Sequence, residues 1–283
     1  MNAPAIFNHQ VIGKKSAPPL LFLHGFLGDR REWDDVARVC APDYHCLTVD
    51  LPGHGKTPLA ALVESDGLSA VTTALFGLLD ALGISSCSVI GYSMGGRLAL
   101  CMAALKPARF TTLVLESASP GLRTDGERRR RIEEDERLAE RLIGTDLGTF
   151  LNEWYSQPMF GNMQRETTRF DALLKQRLEN NPEQLARALR MMSVGRQPPL
   201  WDAWTANRIP TLLVTGECDT KFRAIASEMA SLCPAAELHI AGGCGHNVHY
   251  EDPEAYTKAV KQFLSAHHAR TEQGGEDVIS DVD

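Results

Sequence analysis

Six short runs of apolar residues, rich in Val, Leu and Ile, recur along the chain. They are PLLFLHG (19–25), HCLTVDL (45–51), CSVIGY (87–92), FTTLVLES (110–117), PTLLVTG (210–216) and ELHIAGG (237–243). Near-continuous apolar runs of this length are typical of strands that are covered on both faces, as in a parallel sheet. The pattern therefore predicts a mostly parallel sheet.

Segments with apolar residues at helical spacing lie between most of these runs. The clearest are VTTALFGLLDALG (71–83), GGRLALCMAALKP (95–107), FRAIASEMASLC (222–233) and EAYTKAVKQFLSAHH (254–268). Strands that alternate with helices in this way predict a doubly wound α/β fold, with helices on both faces of the sheet.

The alternation is interrupted between residues 120 and 207, which are polar, rich in Arg and Glu, and helix-favouring. We predict that this segment is a helical cap over the carboxyl ends of the strands, where open α/β sheets bind ligands. The α/β core is then divided into residues 1–119 and 208–270, with the cap inserted between them. Residues 271–283 are acidic and poor in apolar residues, and we expect a disordered tail there.

The charge and composition of the chain argue against binding to nucleic acid or to membranes. With 29 Lys and Arg against 36 Asp and Glu, the formal charge is −7, so the chain has no general attraction to nucleic acid or to anionic lipid. No apolar run is long enough for a membrane span, and the amino terminus lacks the apolar segment of a signal peptide. We expect a cytoplasmic monomer or weak homo-oligomer that acts on a small molecule.

Neither a metal nor a cofactor is indicated. The seven cysteines are scattered, without the spacing of a zinc site or the regularity of a disulfide framework, which favours a reducing compartment. The chain contains neither a P-loop nor a GxGxxG motif, and its histidines lack metal-ligand spacing. We therefore predict chemistry carried by side chains alone.

The sequence GYSMGGR (91–97) has the pattern of a nucleophile elbow. Gly91, Ser93 and Gly95 follow an apolar strand and precede a helical segment, which is the context that lifts a serine hydroxyl above a sheet. A serine hydroxyl becomes reactive when an imidazole accepts its proton and a carboxylate orients that imidazole. Ser93 is thus the candidate catalytic residue, and the sequence must supply both partners.

Loops after the last two predicted strands supply an acid and a base in the required order. Asp219 lies in GECDTKF (216–222) and His246 in CGHNVHYEDP (244–253). Glu217 is the nearest rival acid and His249 the nearest rival base, although His249 lies closer to the following helical segment. We predict a Ser93, His246 and Asp219 triad.

Backbone N–H groups complete the predicted chemistry. In a nucleophile-elbow site, the N–H after the serine and one in the loop after an earlier strand hold a developing oxyanion. Here these groups belong to Met94 and Phe26, while His24 and Gly25 would shape the loop.

These motifs together resemble the α/β-hydrolase-fold family. More narrowly, the chain resembles the 2-succinyl-6-hydroxy-2,4-cyclohexadiene-1-carboxylate synthases of menaquinone biosynthesis, from about Leu20 to the last helix. The narrower similarity is carried by the arginine that ends GYSMGGR, by WYSQPMF (154–160) and by DTKFRA (219–224).

The resemblance implies a lyase that expels pyruvate from a substrate with several carboxylates, using the triad as a general base. It also implies a set of substrate-binding residues, which are Arg97, Arg131, Arg177, Tyr92 and Trp154. Arg131 ends a run of four arginines, and a shift of one residue would select Arg130 instead. Guanidinium groups suit this role because they bind carboxylates in a planar, bidentate geometry.

The residues alone leave other functions open. A carboxylesterase, thioesterase or C–C bond hydrolase would use the same triad with serine as the nucleophile, and a non-catalytic binding module would need no triad. The run Arg128–Arg131 also lies beside EEDE (133–136), a pattern typical of a solvated helix with i, i+4 ion pairs.

Overall fold

A seven-stranded sheet forms the centre of the protein. The computed structural model describes residues 7–59, 67–161 and 163–273, with side chains as far as His268. The strands are β1 (His9–Ile12), β2 (Pro19–Leu23), β3 (His45–Val49), β4 (Cys87–Tyr92), β5 (Phe110–Glu116), β6 (Thr211–Gly216) and β7 (Ala236–Ala241). Their order is β1-β3-β2-β4-β5-β6-β7, and every pair except β1 with β3 is parallel. The predicted α/β fold with a mostly parallel sheet is confirmed.

Strand β1 was not among the predicted strands. Its sequence is HQVI, and none of its four residues is buried. A short edge strand that is solvated on both sides needs no continuous apolar run, so the pattern that identifies central strands does not detect it.

Helices cover both faces of the sheet. The core helices are α1 (Asp34–Cys40), α2 (Gly67–Ala81), α3 (Met94–Leu105), α8 (Trp201–Thr205), α9 (Thr220–Leu232), α10 (Val248–Glu251) and α11 (Pro253–Gln273). Helices α2, α3, α8 and α9 bury apolar residues against one face, and α1 and α11 bury Val36, Tyr256 and Val260 against the other. Because both faces are buried, the inner strands consist of nearly continuous apolar residues.

Four further helices form the cap. They are α4 (Asp125–Gly144), α5 (Leu147–Tyr155), α6 (Thr167–Arg177) and α7 (Pro182–Met191). Their apolar faces meet in a separate cluster that includes Leu142, Phe150 and Leu185. Helix α4 begins with a capping box, in which Thr124 and Glu127 each accept a backbone N–H of the other. The cap is thus a helical layer with its own small core.

Two segments differ in detail from the expected organisation. Helix α8 falls inside the segment expected to form the cap, but Trp204 packs in the core cluster and its indole N–H donates to Met229 O at 2.8 Å. The expected tail starts at residue 271, where α11 still continues to Gln273, and the rest of it lies outside the described residues. No helix among the described residues is long and apolar enough to cross a membrane.

Candidate active site

Ser93 sits in a sharp turn between β4 and α3. Its backbone has φ 50° and ψ −104°, an unfavourable region for a residue with a side chain, and its N–H donates to Glu116 O at 2.8 Å. A Cβ on Gly95 would lie 2.1 Å from Leu23 O, so only glycine lets α3 approach β2 this closely. The turn therefore holds the Ser93 hydroxyl at the carboxyl edge of the sheet.

Ser93, His246 and Asp219 form one hydrogen-bonded series. His246 Nδ1 lies 2.6 Å from Asp219 Oδ2, and His246 Nε2 lies 3.1 Å from Ser93 Oγ. Because a carboxylate only accepts, Nδ1 carries the imidazole proton and Nε2 is free to accept the serine proton. The series has the donor and acceptor order that a serine needs to act as a base or nucleophile.

Backbone contacts and rings hold the imidazole in place. His246 N–H donates to Met159 O at 2.9 Å, and the Ser117 hydroxyl donates to His246 O at 2.8 Å. The Phe222 ring centroid lies 4.6 Å from that of His246. Since Met159 follows α5 of the cap, the position of His246 depends on the cap as well as on the core.

The rival residues are engaged elsewhere. His249 is buried, with Nδ1 2.7 Å from Glu116 Oε2 and its ring stacked on Trp33 at a centroid distance of 4.3 Å. Glu217 is exposed and accepts the Gly243 N–H at 2.9 Å, which closes the loop before the base. Neither of them joins the hydrogen-bonded series at Ser93.

The predicted oxyanion-hole residues lie on either side of Ser93. Met94 is the first residue of α3, and Phe26 lies in the loop after β2; both line the same cavity as Ser93. Neither backbone N–H donates to an acceptor in the described ranges of the chain. An N–H group at a helix start also carries the positive end of the helix dipole, which suits an anion.

A cavity of about 650 Å³ lies between the carboxyl edge of the sheet and the cap. Eight of the ten predicted site residues line it: Phe26, Tyr92, Ser93, Met94, Arg97, Arg131, Trp154 and His246. The two others are Asp219, which is buried behind His246, and Arg177. The structure thus brings together most of the residues that sequence reasoning selected.

Arg97 lies on α3, one turn after Ser93, and reaches into this cavity. Its guanidinium donates to Met192 O at 2.8 Å and to Gln197 Oε1 at 3.1 Å, both on the segment that follows α7. These acceptors are neutral, and burial lowers the pKa of Arg97 to about 10. A cation held by neutral acceptors retains its charge for an anionic ligand.

Arg131, and not Arg130, faces the cavity. Arg130 is exposed, whereas Arg131 Nε donates to Asp135 Oδ1 at 2.8 Å, one helical turn along α4. Asp135 is buried, and its Oδ2 has no hydrogen-bond partner among the described residues. The alternative left open by the sequence is therefore decided by the helical phase of α4.

Arg177 is placed differently from the expectation. Its side chain is 1% exposed, pairs with Glu32 and donates from Nε to Tyr155 Oη at 3.3 Å. Burial lowers the pKa of Arg177, but the charge of Glu32 and its other contacts outweigh burial and raise it. Arg177 does not line the cavity, but its Nη1 is buried and has no hydrogen-bond partner among the described residues, so the expected contact with a substrate stays a prediction.

Tyr92 and Trp154 form apolar walls of the cavity. The Tyr92 ring lies 5.5 Å from His246 and 5.0 Å from His249, and burial raises the pKa of its phenol well above 10. Trp154 packs edge-on against Phe26 at 5.6 Å. Tyr92 thus packs against His246, and Trp154 covers the loop that carries a predicted oxyanion donor.

Sequence reasoning missed several residues that line the cavity, namely Glu32, Glu134, Asp135, Arg137, Leu138, Arg141 and Lys221. Five of these lie on α4, and Leu138 and Arg141 follow Arg131 at spacings of seven and ten residues. Those spacings return to one helix face, so helical periodicity starting from Arg131 identifies them. Glu32 lies outside α4, so this helical spacing does not identify it.

Comparisons with known proteins give matches over most of the chain. The chain matches the family described as alpha/beta hydrolase fold over residues 18–253. It is 40% identical to the 2-succinyl-6-hydroxy-2,4-cyclohexadiene-1-carboxylate synthase of Enterobacter sp. (strain 638), over 89% of this chain and 93% of that protein. The enzyme of the same name from Escherichia coli O1:K1 / APEC is 36% identical, over 89% of this chain and 96% of that one.

A solved structure of MenH from S. aureus is also similar. It superimposes with a TM-score of 0.85 at 31% sequence identity, and the match covers 93% of this chain and 98% of that one. The similarity therefore extends over the core and the cap together.

Proposed function

The chain belongs to the α/β hydrolase fold family, among the 2-succinyl-6-hydroxy-2,4-cyclohexadiene-1-carboxylate synthases, and from this premise we propose its reaction and the roles of its residues. The enzyme is a lyase of menaquinone biosynthesis. It eliminates pyruvate from 2-succinyl-5-enolpyruvyl-6-hydroxy-3-cyclohexene-1-carboxylate, a small molecule with several carboxylates.

The triad supplies the base. Ser93 Oγ, hydrogen-bonded to His246 Nε2, takes the proton from the carbon beside the succinyl carbonyl, and the proton passes to the imidazole. Asp219 then stabilises the imidazolium from Nδ1. No bond forms between Ser93 and the substrate, so no acyl-enzyme arises.

The oxyanion hole receives the electrons. The pair from the C–H bond moves onto the succinyl carbonyl oxygen, where the N–H groups of Phe26 and Met94 stabilise the negative charge. When the enolate collapses, the ring diene forms and the C–O bond to the enolpyruvyl group breaks. The leaving enolpyruvate accepts a proton at carbon and becomes pyruvate, and the His246 imidazolium gives up the proton that it received, so that the reaction balances and the neutral imidazole is restored.

One observation carries the choice of a lyase over a simple ester hydrolase. The partly buried Arg97 guanidinium lies in the cavity one turn from Ser93, and its hydrogen bonds to the described residues go to neutral acceptors. Hydrolysis of a neutral ester gives no use for this charge, whereas a polycarboxylate requires it. Arg131 on the facing cap helix, which is paired with Asp135, provides a second cation in the same cavity.

The test measures pyruvate release from the enolpyruvyl precursor, generated in situ by the enzyme that makes it. We expect wild-type release to be lost by about 10³-fold or more in Ser93→Ala, and kcat/KM to fall by about tenfold to a hundredfold in Arg97→Ala. A nitrophenyl ester serves as the control substrate. Release no faster than the spontaneous rate, together with rapid Ser93-dependent ester cleavage, would make the protein a hydrolase.

A further inference from the structure

Glu32 connects the oxyanion loop, the cap and the base side of the site. It follows β2 in the chain, and its side chain is only 4% exposed, although it reaches the cavity wall. Oε2 accepts the Gly25 N–H at 3.1 Å, and Oε1 accepts a hydrogen bond from Arg177 on α6. Oε1 also lies 4.0 Å from His249 Nε2. One carboxylate therefore contacts three separate parts of the protein.

The bond from Gly25 N–H to Glu32 holds the loop residue directly before Phe26, which carries the predicted oxyanion donor. Gly25 O accepts from Gly28 N–H at 3.1 Å and contacts His24 Nδ1 at 2.7 Å. His24 Nδ1 carries the proton, because its Nε2 accepts the Leu51 N–H at 2.8 Å. In a planar trans peptide, C=O and N–H point in opposite directions, so the bonds to Gly25 O set the direction of the Phe26 N–H, while the bond from Gly25 N–H to Glu32 holds the preceding peptide.

Arg177 balances the charge of this carboxylate. Burial raises the pKa of Glu32, but Arg177 and then His249 outweigh burial, and the pKa stays below its ordinary value. A negative charge at the wall of the oxyanion hole would oppose the charge that forms on the substrate oxygen. The buried guanidinium removes this penalty, and it does so from behind the cavity wall.

We propose that Glu32 is a positioning residue for the oxyanion hole and that Arg177 is its counterion, not a ligand of a substrate carboxylate. The inference rests on the proposed function, because it assigns these two residues to the same elimination. It separates the arginines of the site into two groups: Arg97 and Arg131 bind the substrate, and Arg177 tunes the oxyanion hole.

A double-mutant cycle on pyruvate release tests the pairing, with Arg177→Met, Glu32→Gln and the double variant. We expect Arg177→Met to lower kcat by about a hundredfold with KM changed by less than about threefold, because Glu32 is left unpaired beside the oxyanion. The double variant should recover about tenfold of that loss, since the Glu32→Gln substitution removes the charge and keeps an acceptor for the Gly25 N–H. Arg97→Met is the matched control, and there KM should rise.

The opposite pattern overturns the inference. If Arg177 binds a substrate carboxylate, Arg177→Met raises KM as Arg97→Met does, and the double variant recovers nothing. Wild-type release of pyruvate tests the proposed function by itself, so failure of the inference is distinguishable from failure of the function.

A second comparison covers the case in which Arg177→Met does not fold, as judged by its circular dichroism. Glu32→Gln keeps an acceptor for Gly25 N–H, and Glu32→Ala removes it. We expect kcat to be at least about tenfold lower in the Ala variant than in the Gln variant at similar KM. Equal kcat values for two folded variants would show that the bond to Gly25 does not position the donor.

Discussion

At the scale of single residues, the direction of a side chain decides its role more than its type does. Three arginines were expected to bind substrate, and the structure places Arg97 and Arg131 in the cavity but buries Arg177 against Glu32. Planar guanidinium groups suit carboxylates in either setting. Arg131 is also ion-paired, with Asp135, but its side chain is 35% exposed and lines the cavity, whereas the side chain of Arg177 is 1% exposed.

The neighbouring arginines 130 and 131 give a matched pair for testing this. We expect Arg131→Ala to raise KM for the enolpyruvyl substrate by about tenfold to a hundredfold, because a charge-assisted hydrogen bond is lost. Arg130→Ala should leave KM within about twofold, since its side chain is exposed outside the cavity. Steady-state kinetics of pyruvate release measure both, and a larger effect for residue 130 would contradict the placement of α4.

At the scale of elements, the approach of α3 to β2 positions the nucleophile. Gly95 is the contact point, because a Cβ there would lie 2.1 Å from Leu23 O and 2.7 Å from His24 O. The same close packing brings the first turn of α3, with Met94, next to the loop that carries Phe26. The strained turn at Ser93 is thus held in place by packing of the whole helix.

Two glycine-to-alanine substitutions separate packing from helix propensity. Gly95→Ala should lower the free energy of unfolding by about 3 kcal/mol or more, because the helix must move away from β2. Gly77 lies on the exposed side of α2, where a Cβ meets nothing within 4 Å. Gly77→Ala should therefore raise the free energy of unfolding by about 0.5–1 kcal/mol. Urea denaturation measures both, and a stable Gly95→Ala protein would contradict the observed contact.

At the scale of the whole molecule, core and cap are joined by polar contacts as well as by apolar ones. The Glu32–Arg177 pair links residues 145 positions apart, and Met159 O holds the backbone of His246. Breaking a buried ion pair leaves one charge without compensation, which typically costs about 3–5 kcal/mol. The cap is therefore coupled to the catalytic core through charges as well as through packing.

This coupling predicts a pH dependence of stability. The pKa of Glu32 in the folded protein is below its ordinary value of 4.5, so the pair stabilises the fold above that pH. The contribution declines as pH falls below about 4.5 and is lost as pH passes the folded-state pKa. The difference in unfolding free energy between wild type and Glu32→Gln should thus be largest near neutral pH and shrink in acid.

Urea denaturation between neutral pH and about pH 3 measures that difference. Glu179→Gln is the control, because Glu179 pairs with Arg31 at the surface, where such a pair contributes less than about 1 kcal/mol. If the difference in unfolding free energy between wild type and Glu32→Gln does not change with pH, the charge of the Glu32 carboxylate does not stabilise the fold.

The sequence by itself determined the parts of this protein that depend on neighbouring positions. Apolar periodicity identified six of the seven strands and the alternation with helices, because burial on both faces of a sheet leaves a local signature. The elbow around Ser93 and the order of acid and base were visible for the same reason, since glycines and loop positions are set within a few residues. The short, solvated β1 left no such signature.

Tertiary structure alone decided which side chains share the cavity and which neutralise each other. The choice of Arg131 over Arg130 depends on how α4 is rotated against the core. The burial of Arg177 depends on a carboxylate 145 residues away. Electrostatic pairing acts through space and not along the chain, so a single sequence contains the charges of Glu32 and Arg177 but not the fact that they meet.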